Sequence, residues 1–258
     1  MRKRTEGSWR LIFPVLALAL AAGPAPAAEA KAKTLMAGLN FDYFSRTAVW
    51  DGDAETSRIL ANLISARAEF ELGKGATLSL SAGLSLSDFK GLTFGDLPVT
   101  LEYDAAPIKG VFLGAEIEAP LLDFGDFEIG AAGRSVSSFG MSKTWPLEGF
   151  AVEGEAQGRP NWIEASAGPR LVYKHADRFI PYLEVDALWL RADFRMDETL
   201  EDLHGLETKR IKGNFSLGAF LGADIRISER LALKAKAGII PYAGGVDGLA
   251  SVGLFYVF

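Results

Sequence analysis

Between Ala76 and Ser87 every second residue is apolar. Leu78, Leu80, Ala82, Leu84 and Leu86 fall on one side, and Thr77, Ser79, Ser81, Gly83, Ser85 and Ser87 on the other. A helix would scatter those leucines around its circumference, whereas a strand sends alternate side chains to opposite faces. The segment therefore reads as a strand with one greasy and one polar face. Residues 31–258 hold no apolar stretch of helix length; the uncharged windows Ala237–Val246 and Gly248–Phe258 are both rich in glycine.

The same period predicts ten strands: 34–44, 58–72, 76–87, 108–119, 127–136, 161–174, 179–193, 211–227, 231–240 and 248–258. Connections alternate in length. Gly73-Lys74-Gly75, the stretch around Asp123–Asp126, His175–Arg178 and Ser228-Glu229-Arg230 are short; 45–57, 88–107, 137–160, 194–210 and 241–247 are mostly long. Turns at one end and loops at the other are the pattern of an up-and-down barrel. An even strand count then puts both chain ends at the short-turn end. Leu97–Tyr103 alternates weakly, so a further hairpin in 88–107 would make twelve strands, and eight would remain if two of the ten segments are not strands.

The chain has 258 residues, 27 basic and 33 acidic groups and no cysteine. That excludes a disulfide framework, a thiolate metal site, a thiol nucleophile and a cysteine-anchored lipoprotein. A net charge of −6 argues against nucleic acid as a partner, which needs a concentrated basic face. Arg2, Lys3, Arg4 and Arg10 precede the apolar run Leu11–Ala22, followed by Ala25-Pro26-Ala27 and Ala28-Glu29-Ala30. Basic head, short apolar middle and small-residue exit predict a secretory signal peptide over 1–30, cut after Ala27 or Ala30, and a single domain over 31–258.

A soluble β-sandwich would bury its apolar faces against each other. Two features favour a barrel in lipid. Aromatics gather near strand ends (Phe70, Phe127, Tyr173, Trp189, Tyr256, Phe258), where interfacial girdles sit. The opposite faces carry charges in mid-strand: Arg67, Glu69, Glu116, Glu118, Glu128, Arg134, Glu164, Arg170, Glu184, Asp186, Asp224, Arg226, Lys234 and Lys236. A closed lumen accommodates such groups, and their near balance predicts cross-strand pairing that fills the interior. A ten-strand barrel is narrow, so the expectation is a plugged interior or a thin, poorly selective channel. Residues 45–57, 88–107, 137–160 and 195–210 together hold the whole excess of acid over base in 31–258. That reads as a solvated surface, or as a cation-bridged face toward lipopolysaccharide.

The last five residues, Leu254-Phe255-Tyr256-Val257-Phe258, resemble the closing strand of bacterial outer-membrane β-barrel proteins, which end in Phe with an aromatic two residues earlier. The chain is similar to the small opacity-like and porin-like members. The resemblance implies an integral outer-membrane barrel, with both termini periplasmic and Tyr256 and Phe258 read by the barrel-assembly machinery. It also implies periplasmic chaperones during biogenesis, and lipid and lipopolysaccharide as lasting neighbours. No Gly-rich phosphate loop or metal-spaced His/Asp cluster stands out, so no cofactor or metal is expected. The expected role is structural or surface-displaying and non-enzymatic, with a narrow channel for small solutes as the alternative. A further alternative is hydrolysis by Asp51, Asp53, Asp202 and His204, in the manner of the outer-membrane proteases of the omptin family. The acid pair in the first loop departs from that family's pattern. His175 reads as a solvated turn residue.

Overall fold

A computed structural model describes residues 35–53, 56–103, 106–147 and 153–258; the leader predicted over 1–30 lies outside them. The described chain runs β1 (Leu35–Val49), β2 (Thr56–Gly73), β3 (Ala76–Lys90), β4 (Thr93–Phe94), β5 (Leu101–Glu102), β6 (Ile108–Phe124) and β7 (Phe127–Gly140). It continues with β8 (Lys143–Pro146), β9 (Gly154–Tyr173), β10 (Phe179–Leu200), β11 (Leu203–Ser228), β12 (Leu231–Tyr242) and β13 (Gly245–Val257). Ten of these strands pair antiparallel in the order β1-β2-β3-β6-β7-β9-β10-β11-β12-β13, and β13 returns to β1. The sheet has no wall strand with an open side, so the backbone satisfies its own hydrogen bonds all the way round. The expected ten-stranded antiparallel barrel is what forms. The hairpin anticipated in 88–107 exists, but β4 and β5 are two residues each and stand apart from the wall.

Stagger follows from the register. Leu35 pairs with Phe70, then the row passes Leu78, Ile117, Gly133, Ala167, Ala187 and Leu217. Continued through the Pro241–Val246 pair, it reaches Thr47, about twelve residues beyond its start. That stagger tilts the strands by about 40°. The ten steps from Phe70 to Leu60 on β2 then rise roughly 25 Å, the height of an outer-membrane apolar band. Over that height the outward side chains include Leu39, Ile64, Leu84, Leu113, Leu217, Leu221 and Leu254, all exposed. No described outward position within it carries an Asp, Glu, Lys, Arg or His side chain.

The short turns meet at one end, with the Phe258 amide donating to the Leu35 carbonyl there. The β2–β3 turn places Gly73, Lys74 and Gly75 at φ 101°, 52° and 77°. Two glycines carry most of that left-handed backbone at no steric cost. At the other end the strands overrun the predicted boundaries. Residues 194–210 form a hairpin closed by a two-residue turn, and 241–247 shrink to a tight turn.

Inside, large rings lie over glycines. A Cβ on Gly222 would sit 2.2 Å from the Tyr182 ring, and one on Gly238 would sit 2.1 Å from Phe220. Gly222→Val is expected to displace Tyr182 and cost about 1–3 kcal/mol by overpacking. In a heat-modifiability gel the variant should lose its compact, fast-migrating form at a lower temperature than wild type.

Candidate functional site

The lumen has three levels. At the turn end it opens as a vestibule of about 760 Å³, walled by Glu69, Glu71, Glu118, Asp224, Arg226 and Lys234, among others. Arg226 therefore stands at the mouth, more solvated than its predicted lumen position. Glu128 also lies toward this end, held by Lys174 at 3.2 Å, and Lys174 also meets Asp123 at 2.6 Å. His175 faces Asp126 on the turn surface at 3.3 Å, as a solvated turn residue.

The middle level is a web of ion pairs that crosses the barrel. Arg67 on β2 reaches Glu116 on β6 at 2.9 Å and Glu69 at 3.0 Å. Arg134 on β7 reaches across to Asp42 on β1 at 3.0 Å, and Asn40 donates to the same carboxylate at 2.8 Å. Arg170 on β9 meets Glu118, then Glu184 at 3.6 Å and Asp224 at 3.9 Å. Lys234 pairs with Glu69, and Lys236 with Glu184. Arg46 closes the web above, 3.3 Å from Glu164. Aromatic faces line its floor: Arg170 stacks 3.6 Å over Tyr182, and Lys236 lies 4.9 Å over Phe220. Such contacts favour cations held away from bulk water. Two cavities within this web are about 30 and 10 Å³, room for a single water, and a third of about 210 Å³, lined by Glu118, Arg170, Asp224 and Lys174 among others, lies toward the turn end.

The third level was not foreseen. Toward the loop end the inward positions turn apolar. Phe44, Leu63, Phe112, Val136, Trp162, Leu188, Leu190 and Phe220 are buried there. Phe44 and Trp162 stack with centroids 5.1 Å apart, and the Trp162 indole donates to Ser87. Above them the β3–β6 connection folds into the opening. Phe89, Phe94 and Tyr103 surround Phe194 at 4.9, 5.3 and 5.3 Å between ring centroids. Glu198 and Glu207, turned inward on the β10–β11 hairpin, accept from the Val99 and Asp96 amides and hold this connection down. Burial lifts the Glu198 carboxyl above its ordinary range, and the Val99 amide partly offsets that.

The structure brings Glu116, Glu118, Arg134, Arg170, Asp224, Lys234 and Lys236 together in the charged web. Asp42 and Arg46 were overlooked: Asp42 shares the inward face of Asn40 within the predicted strand, and Arg46 lies on that face two residues past its end, beyond the apolar Phe44. The hydrolytic candidates do not converge. The Asp51 amide donates to the Arg210 carbonyl, and Asp53 pairs with Lys209. His204 lies six residues up β11 from Arg210, roughly 20 Å along a strand, with Thr199 as its ring partner at 3.1 Å. Among the described residues no cluster of three or more His, Asp or Glu is arranged to hold a metal, and no helix is long and apolar enough to cross a membrane. Tyr256 and Phe258 lie on the outer surface at the turn end, ring against ring at 4.8 Å.

No protein-family model and no curated protein sequence matches the chain. Among solved structures it is similar to the outer membrane protease OmpT from Escherichia coli, with 11% identity over 90% of this chain and 100% of that one, at a TM-score of 0.51. Two further resemblances are looser. An outer membrane channel from Pseudomonas putida gives 9% identity over 92% and 99% at 0.43. Ail, the attachment invasion locus protein of Yersinia pestis, gives 11% over 88% and 97% at 0.35. At 11% identity the likeness to OmpT establishes the fold alone, a closed outer-membrane-type β-barrel.

Removing Arg67 leaves Glu116 without its ion-pair partner in the lumen, while Glu69 keeps Lys234. Arg67→Met is expected to cost about 3–5 kcal/mol, as for other uncompensated buried charges. Adding Glu116→Leu should recover part of the loss, read as the urea midpoint of the refolded barrel.

Proposed function

We propose that this chain is an integral barrel of the bacterial outer membrane, non-enzymatic, whose role is structural and surface-displaying. In this reading the short turns and both chain ends face the periplasm, and the loop-end cap faces outward. The observation that carries it is the filled lumen: a charged web with water-sized gaps beneath a dry aromatic cap. A barrel blocked twice over is built to present its outer end, since a solute path needs a continuous wetted lumen. The failure of Asp51, Asp53, Asp202 and His204 to gather supports the non-enzymatic reading.

Planar-bilayer recording of the refolded chain is the test: no conductance steps above baseline are expected. Discrete, reproducible steps would replace this reading with the narrow channel. Proteolysis of a peptide panel that stops on substituting Asp202 and His204 would replace it with the hydrolase.

Tyr256 and Phe258 in this reading form the assembly signal, presented to the barrel-assembly machinery after escort by periplasmic chaperones. Deleting Phe258 should cut the folded, heat-modifiable fraction in the outer membrane several-fold. Equal folded yields would remove the assignment.

A further inference from the structure

Above the apolar band the wall is not level. The β12–β13 hairpin turns tightly after Tyr242, while β10 runs on to Leu200 and β11 starts at Leu203. β12 pairs with β11 only from Ala219 to Ser228, so the upper part of β11 has β10 on one side alone. Part of its open side is taken by β1 and the residues after it. Asn214 donates to the Thr47 carbonyl at 2.9 Å, and the Arg210 carbonyl accepts from the Asp51 amide at 2.8 Å.

Arg210 fixes which groups are left over. Its carbonyl points away from β10, and the β10–β11 register runs without a slip from there to Leu203. Backbone groups alternate in direction along a strand, so the N–H and C=O of His204, Leu206 and Thr208 face the open side. Among the described residues none of these groups has a backbone partner. Leu203 and Leu206 are 58% and 55% exposed. Proteins guard such edges with proline, outward lysine or a bulge. The opposite edge of this raised sheet is guarded: β8 ends in Pro146, and Lys143 reaches the Ala106 carbonyl at 2.7 Å. On β11 the charged Glu207 and Lys209 turn inward and are buried, so the edge is bare.

A bare strand edge recruits another strand. The strand tilt of about 40° decides where a second copy fits. Copies side by side in one membrane are related by an axis along its normal, which would cross their β11 strands at about 80°, against roughly 20–25° between sheet neighbours. An axis in the membrane plane, perpendicular to the wall, makes the two strands antiparallel at any tilt and puts the copies on facing membranes. Leu206 has the height for that. It lies nine residues up β11 from Phe215, the partner of Trp189, and Trp189 is the last apolar outward residue of β10. That places Leu206 roughly 20 Å above the edge of the band. In the register centred on Leu206, His204 faces the second copy's Thr208 and Gly205 faces its Glu207. No like charges meet, and about six main-chain hydrogen bonds form.

We propose that the β11 edge from Leu203 to Thr208 is a homotypic docking strand, pairing antiparallel with the same strand of a second copy in an apposed membrane. One such contact is far below the area of a stable dimer, so it acts in arrays, where avidity between membranes replaces affinity. The inference rests on the surface-displaying reading above and names the partner that reading leaves open.

The test places the full folded chain in phosphatidylcholine vesicles, with heat-modifiability verifying the fold. Wild-type vesicles are expected to cluster, read by light scattering. L206P removes an edge N–H without touching a β10 bond and should cluster at least fivefold more slowly. T144P, at the guarded edge, should cluster as wild type does. L206C, carried by two vesicle populations with distinguishable tags, should form disulfides between the populations; this result decides if L206P does not fold. Folded wild-type chain that leaves vesicles dispersed overturns the inference and leaves the outer-membrane reading standing. A chain that never folds in bilayers overturns that reading itself. Undiminished clustering of L206P overturns the inference, and so do L206C disulfides confined to one population, which would mean pairing within a single membrane.

Discussion

A peptide group in hydrocarbon has no water to bond with, so each must find a partner within the protein. This chain meets the requirement by closing ten strands on themselves, and the rest of the architecture follows from that closure. A closed wall has one face toward lipid and one toward its own lumen. The period-two sequence then has only one sensible placement: leucines and phenylalanines outward, arginines and glutamates inward.

Closure at ten strands leaves a lumen too narrow to stay empty and too polar below to be dry. The middle level answers with charges from eight strands that neutralise one another across the barrel. Rings on glycines supply the floor on which the cations lie. The upper level answers differently, with a hydrophobic cap that the β3–β6 connection completes. One buried carboxylate without its cation would be costly at such a site, so the web is arranged in chains, Lys234–Glu69–Arg67–Glu116 and Lys236–Glu184–Arg170–Glu118.

Much of the wall was legible because 76–87 and its like alternate cleanly. The loop end was not, for two physical reasons. First, the inward residues there change from polar to apolar, so Phe194 and Met196 next to outward Arg195 and Asp197 look like a charged loop with stray hydrophobes. Second, the β10–β11 pairing slips between Leu190 and Ala192, leaving one extra residue on β11, two residues facing one. Inward positions above the slip are Ile211, Lys209 and Glu207; below it they are Asn214 and Ser216. A fixed two-residue template loses its phase at such a bulge. Arg46 was missed for a related reason: the neighbouring Phe44 faces inward and looked like a strand end. What counting loop charges hid altogether was direction, since Glu198, Glu207, Arg46 and Lys209 turn inward and are buried.

The central proposition is that the greasy face meets lipid and the charged face meets itself. The chain has no cysteine, so single cysteines at consecutive positions 78–84 can be spin-labelled without background. Collision rates with oxygen, which partitions into lipid, and with a water-soluble nickel chelate report each site's surroundings. The account predicts high oxygen collision at Leu78, Leu80, Ala82 and Leu84, and low values at Ser79, Ser81 and Gly83 between them. Frequent nickel collisions at the leucine positions in a bilayer, or no alternation along the strand, would contradict it.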